Sequence, residues 1–150
     1  MNVYLEIGPA TEDNGAERYA TMFPKERLLP CGPGAWWAVM PGDGVTMVYW
    51  VFEAPRCNEL SMHRHEESQT GYVLEGEIAL RYEDGSERTL RAGEFYTIPP
   101  GGLHGATIRR RAVLLDMYAP GRKDYEERYL SAQRAKETST RRARVAASIK

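Results

Sequence analysis

The pattern of this chain predicts an all-β fold of the sandwich or barrel type, and three observations carry that expectation. Short apolar segments recur between residues 36 and 119: WWAVM, VTMVYWVFEA, ELSMH, GYVLEGEIALRYE, ERTL, EFYTI, GATI and AVLLDMYA. Turn residues punctuate them at Pro41-Gly42-Asp43-Gly44, Ala54-Pro55, Asp84-Gly85, Ala92-Gly93 and Pro99-Pro100-Gly101-Gly102. Regular spacing of short strands is the mark of a sandwich or barrel, and 150 residues that are 42% apolar suffice for one core.

The elements follow in order. Residues 1–35 carry Pro9, Pro24, Pro30 and Pro33, which limit regular structure, so this segment is expected to be an arm packing on the domain. Residues 36–120 form the barrel. Within it VTMVYWVF is apolar on both faces: Val45, Met47, Tyr49 and Val51 point one way, Thr46, Val48, Trp50 and Phe52 the other. A strand with no wet face must be covered on both sides, by the arm or by a second subunit, and a homodimer is expected. Residues 121–150 form a C-terminal helix and a basic tail. Tyr125 and Tyr129 stand at i, i+4 in DYEERYLSAQRAKE, which contains no Pro or Gly, giving a helix of about three turns.

Charge and composition exclude several classes. The net charge of -1 speaks against a nucleic-acid binder. The charge is uneven, however, with nine basic and four acidic residues from Gly121 onward; the arginine-rich tail reads as a solvated helix or frayed end. No apolar run approaches the roughly 20 residues of a membrane span, and the start MNVYLEIGPATEDNG has no signal-peptide pattern, so a cytoplasmic location is expected. Cys31 and Cys57 are too few for a disulfide framework and are read as thiols.

The three histidines carry the chemistry. In an extended strand His63 and His65 project to one face, where they can share a metal ion. After a turn, Gln69 re-enters near that face, and a later strand ends at Pro99-Pro100-Gly101-Gly102 before delivering His104. Imidazole nitrogen and amide oxygen suit a first-row divalent ion and leave room for water or substrate.

The spacing His-x-His, three residues, Gln, six residues, Gly, then Gly, five residues, Pro-x-Gly, two residues, His resembles the two metal-binding motifs of the cupin superfamily. It falls here on His63, His65, Gln69, Gly76, Gly93, Pro99, Gly101 and His104. The resemblance implies a single cupin barrel, a double-stranded β-helix or jelly roll, holding one divalent metal per chain: zinc, nickel, manganese or ferrous iron. Two positions depart from the general pattern, Cys57 and Ile108 standing where glycine and asparagine are common; neither is a ligand. The adjacent Glu66 and Glu67 are read as solvated loop charges.

An amide ligand keeps the full divalent charge available to substrate, which favours Lewis-acid chemistry over oxygen activation. Such a site needs a base. Asp116 lies inside the apolar strand AVLLDMYA, where a carboxylate is costly unless it faces a pocket or a partner. Tyr118 shares its face, and Arg122, beyond the Pro-Gly turn, could clamp a substrate carboxylate. If His104 and Asp116 stood on neighbouring strands joined through Arg109-Arg110-Arg111, a shared inward face would need an odd-numbered loop or a bulge; the inward placement is the expectation.

Gly71-Tyr72-Val73-Leu74-Glu75-Gly76-Glu77 together with Asp116, Pro120, Arg122, Asp124 and Tyr125 is similar to the KdgF-type cupins of pectin and alginate degradation, with Tyr118 in place of phenylalanine. That resemblance implies metal-assisted ring opening of 4,5-unsaturated monouronates, with Asp116 and Arg122 carrying function; Asp116 is read as catalytic, and Arg122 and Tyr118, which shares the face of Asp116, as binding substrate. Two other functions stand beside it: a cyclase or oxygenase of secondary, polyketide-type metabolism, and a small-molecule sensor without turnover. Trp36, Trp37, Trp50 and Phe52 favour a larger or more apolar substrate than a sugar acid, with core packing as the alternative.

Overall fold

The computed structural model describes residues 27–54 and 59–148. Ten strands and one helix appear there: β1 (Leu29–Gly32), β2 (Ala35–Pro41), β3 (Thr46–Phe52), β4 (Glu59–His63), β5 (Ser68–Glu75), β6 (Glu77–Tyr82), β7 (Glu87–Arg91), β8 (Phe95–Ile98), β9 (His104–Thr107), β10 (Ala112–Ala119) and α1 (Lys123–Ser148). They form two antiparallel sheets, ordered β1-β2-β3-β10-β5-β8 and β4-β9-β6-β7. The result is an all-β jelly roll, within the sandwich-or-barrel class that the strand pattern predicts and as the cupin resemblance implies.

Most strands stand where the apolar segments put them, and GYVLEGEIALRYE is divided at Gly76 into β5 and β6. One strand lies inside the expected arm. Residues 29–32 pair with β2 as the outermost strand of the larger sheet, a position that tolerates Pro30 because an edge strand can leave its outer hydrogen bonds unmade. Residues 1–26 of the arm, and Cys57, lie outside the described residues.

The core sits between the sheets. Phe52, Val73, Ile98 and Leu114 from the larger sheet meet Ile78, Leu80, Leu90 and Ala106 from the smaller one. A second cluster, around Leu29, Trp37, Val39, Val48 and Tyr118, is closed by Tyr129 of the helix. Outside, Leu74, Phe95 and Met117 leave apolar surface on the larger sheet, Phe95 being 68% exposed.

The helix is longer than about three turns; it runs 26 residues, through the basic tail. Tyr125 and Tyr129 share a face as their spacing requires, with ring centroids 5.3 and 6.2 Å from Trp37. Every residue from Arg134 to Ser148 is exposed. That half continues the helix because KETSTRRARVAAS contains no Gly or Pro and is rich in Ala and Arg, strong helix formers. No described helix is long and apolar enough to cross a membrane.

Candidate metal centre and cavity

A cavity of about 390 Å³ opens between the sheets, its mouth beside the exposed Glu59, Ser61 and His63 of β4. At one end the three histidines converge. β4 pairs with β9 so that His63 is directly opposite His104, and the loop after β4 brings in His65. Their ligand atoms lie within 4.8 Å of one another. Two loops are tied together to achieve this: the Gly101 N–H donates to the His65 carbonyl at 2.8 Å. Gly101 holds φ +74°, a left-handed conformation that a side chain would strain.

The tautomers are set by the backbone. Each Nδ1 lies 2.9 Å from a carbonyl oxygen: His63 from Ser61, His65 from Glu67, His104 from Gly102. A carbonyl only accepts, so each Nδ1 carries the proton and each Nε2 presents a lone pair. This is the outer support found around metal-bound imidazole. The buried His104 Nε2 has no hydrogen-bond partner among the described residues, and burial holds the His104 pKa below its ordinary value, which keeps the ring neutral.

Gln69 completes the set. Its Oε1 is 3.0 Å from His65 Nε2, so two acceptors face each other, an arrangement that a shared cation relieves. With that oxygen turned to His65, the amide NH₂ is left for the side of Tyr96 and Asp116, whose pKa values Gln69 lowers. One residue therefore needs both an acceptor and a donor, which a glutamate could not supply. The donor set fits a divalent ion held by His63, His65, Gln69 and His104.

Asp116 faces the cavity, by a route different from the one considered above. His104 lies in the smaller sheet, whereas β10 lies between β3 and β5 in the larger one. The two residues are not on neighbouring strands, and the inward placement owes nothing to the Arg109-Arg110-Arg111 loop; the sheets simply face each other. Burial raises the Asp116 pKa to about 6, while hydrogen bonds from Tyr96 and Tyr118 and the nearby donors of Gln69 and Trp50 pull it back. Tyr96 Oη donates at 2.6 Å and Tyr118 Oη at 3.3 Å. Both phenols are held well above the ordinary tyrosine value, chiefly by burial.

The sequence reading missed Tyr96, and Gly71 explains how it reaches Asp116. Asp116, Gly71 and Tyr96 are register partners across β10, β5 and β8. The tyrosine ring crosses over the glycine, where an added Cβ would come within 2.0 Å of it. A glycine between two polar residues on adjacent strands was the available signal, legible only once the register is known.

The remaining expectations divide. Tyr118 lines the cavity, with its ring centroid 5.4 Å from that of His65. Arg122 does not line it. Its guanidinium forks onto Asp124 at 2.8 and 2.7 Å and lies 3.8 Å above the Tyr125 ring, so a clamp on substrate would first have to leave Asp124. Glu67 is more than a solvated charge: its carboxylate sits 3.5 Å from His65 Nδ1 and 3.7 Å from Arg122 Nε. Glu66 is exposed, as expected. Arg122 thus reaches the histidines indirectly, by holding Glu67.

Comparison with known proteins agrees with this geometry. The cupin domain family matches residues 49–118. An RmlC-like cupin from Shewanella frigidimarina is 28% identical, covering 69% of this chain and 93% of its own, with a TM-score of 0.62. KdgF from Halomonas sp. is 23% identical, covering 70% and 99%, with a TM-score of 0.62. A conserved protein with a double-stranded β-helix domain from Klebsiella pneumoniae is 23% identical, covering 68% and 91%, at 0.57. No curated protein matches the chain.

Proposed function

We propose that this chain, whose residues 49–118 match the cupin domain family, is a metal-dependent cupin enzyme moving a proton on a small carbonyl compound, an isomerase or lyase of the ring-opening or tautomerising kind. The observation that carries the reading is the buried Asp116, aimed at the same cavity end as the three-histidine cluster, in which the buried His104 Nε2 has no hydrogen-bond partner among the described residues. His63, His65, Gln69 and His104 would hold one divalent ion, which when bound supplies Lewis acidity toward a substrate oxygen.

The chain's own groups do the rest. Asp116 takes the proton from the carbon beside the carbonyl and returns it to the product; a pKa of about 6 suits both directions near neutral pH. Tyr96 and Tyr118 hold its two oxygens, so that the carboxylate is oriented before substrate arrives. Away from the mouth, apolar side chains of both sheets line the cavity. Oxygen activation is the weaker reading, because the facial carboxylate of many iron oxygenases is replaced by the Gln69 amide.

Similarity of motif makes a 4,5-unsaturated uronate the first substrate to assay. The protein, purified without chelator, should turn over a carbonyl substrate without oxygen uptake, lose activity on chelation and regain it with one added divalent metal. Turnover coupled stoichiometrically to oxygen would favour the oxygenase reading instead. Binding with no turnover of any carbonyl compound would favour a sensor. A homodimer is proposed from the apolar β3 alone, and sedimentation velocity decides it.

A further inference from the structure

We infer that the cavity takes an uncharged, largely apolar carbonyl or enol compound, not a sugar acid. The inference takes from the proposed function only that a metal ion occupies the histidine end.

The cavity has two unlike ends. Opposite the cluster of His63, Gln69, Tyr96, His104, Asp116 and Tyr118 lies a wall of Phe52, Leu60, Ile78, Leu80, Ala106 and Leu114. The register makes that wall continuous. Leu60 and Leu80 both pair with Ala106 in the smaller sheet, and Trp50 pairs with Leu114 in the larger one. Moving along β10 from Asp116 to Leu114, or along β9 from His104 to Ala106, crosses from polar to apolar in a single inward step. None of the six side chains in the wall offers a hydrogen bond.

A uronate needs the opposite. It carries hydroxyl groups around its ring and a carboxylate, and each group buried without a partner opposes binding. Among the described residues lining the cavity there is no Lys or Arg, and the two acidic ones are Glu59 and Asp116. Arg81 bonds Glu59 at 2.8 Å and the Leu60 carbonyl at 3.0 Å without lining the cavity, and Arg122 is held by Asp124. An anionic substrate would therefore meet two carboxylates and no side-chain cation, with the metal ion as its one positive partner.

A second observation points to an acceptor oxygen on the ligand. The Trp50 indole lines the cavity, and its buried Nε1–H, though close enough to Asp116 to lower that carboxyl's pKa, completes no hydrogen bond among the described residues. Buried donors are nearly always paired, and a carbonyl or hydroxyl oxygen of a ligand would pair this one. The Trp50 ring lies 15° from parallel to that of Phe52, centroids 5.7 Å apart, which adds aromatic surface suited to a flat apolar body.

The test uses the metal-loaded protein and two probes, 1-hydroxy-2-acetonaphthone and a 4,5-unsaturated galacturonate, titrated by calorimetry with metal content measured afterwards. The naphthone should bind at least tenfold tighter. Ala106→Leu, which fills the apolar wall, should weaken the naphthone tenfold or more with metal retained. Leu60→Arg, at the partly exposed rim, should shift preference toward the uronate, and it decides the matter if the Ala106 variant fails to fold by circular dichroism. Equal or tighter uronate binding by the parent protein would overturn the inference, as would an Ala106→Leu protein that keeps its metal and binds the naphthone unchanged. Deuterium exchange into the naphthone methyl group tests the proton-transfer reading separately. Tight binding without exchange removes that reading and leaves the substrate class supported.

Discussion

At the histidine end of the cavity, polar side chains from both sheets crowd around one point and each is held by a named partner: backbone carbonyls for the imidazoles, two tyrosines for Asp116. At the other end Leu80, Ala106 and Leu114 are held by packing alone. The difference lies in what each end tolerates. Hydrogen-bonded geometry is specific to an atom, so one changed residue at the polar end removes a function, whereas an apolar wall accepts changes that conserve volume. Substitutions should therefore separate the ends cleanly.

The largest effect is expected at the ligands. His104→Ala should lose most bound metal, and turnover with it, while circular dichroism keeps the β spectrum, because the apolar core is intact. Metal content equal to that of the parent would mean that the histidines do not form the site. Gln69→Glu comes next. It keeps an oxygen for the metal but removes the NH₂ that faces Asp116 and Tyr96, and it sets a second carboxylate beside the first. Turnover should fall more than substrate binding does, and a rate equal to the parent's would show that the amide's donor side is idle.

Gly71→Ala probes the same end through shape alone. The new methyl group would collide with the Tyr96 ring, so the protein should lose about 1–3 kcal/mol of stability, the usual scale of overpacking. Turnover should drop in the same variant as Tyr96 leaves Asp116. Gly71→Ala with Tyr96→Phe should recover neither property fully, since the phenylalanine ring still crosses the glycine. The smallest effect is expected far along the helix. No residue beyond Tyr125 lines the cavity, so a chain ending at Lys136 should match the full protein within about 0.5 kcal/mol, as exposed positions usually do. Thermal unfolding and the activity assay check it together.

The two ends were also unequally legible in the sequence. His63, His65, Gln69 and His104 are visible because metal ligation demands particular residue types at fixed spacing, and Asp116 is visible because a carboxylate in an apolar strand is out of place. Tyr96 carries no such mark: in EFYTI it alternates like any half-buried aromatic. The apolar wall is harder still. Leu80 and Leu114 follow the same period-two pattern whether they fill a core or line a void, and only the distance between the sheets distinguishes the cases. Strand positions were legible from turn residues, but β10 lying between β3 and β5 is a long-range pairing that no local pattern encodes. Helix length failed for a related reason. Among the described residues, half-buried positions of the helix end at Gln133, whereas helix propensity carries the chain on to Ser148.

The most direct test of the account is Asp116→Asn assayed for both metal and turnover. Asparagine keeps the size of the side chain and an acceptor for Tyr96 but cannot exchange a proton. The account predicts full metal content, an unchanged fold and turnover reduced by roughly a hundredfold or more, the scale of removing a general base. A variant that holds its metal and works as fast as the parent would contradict it.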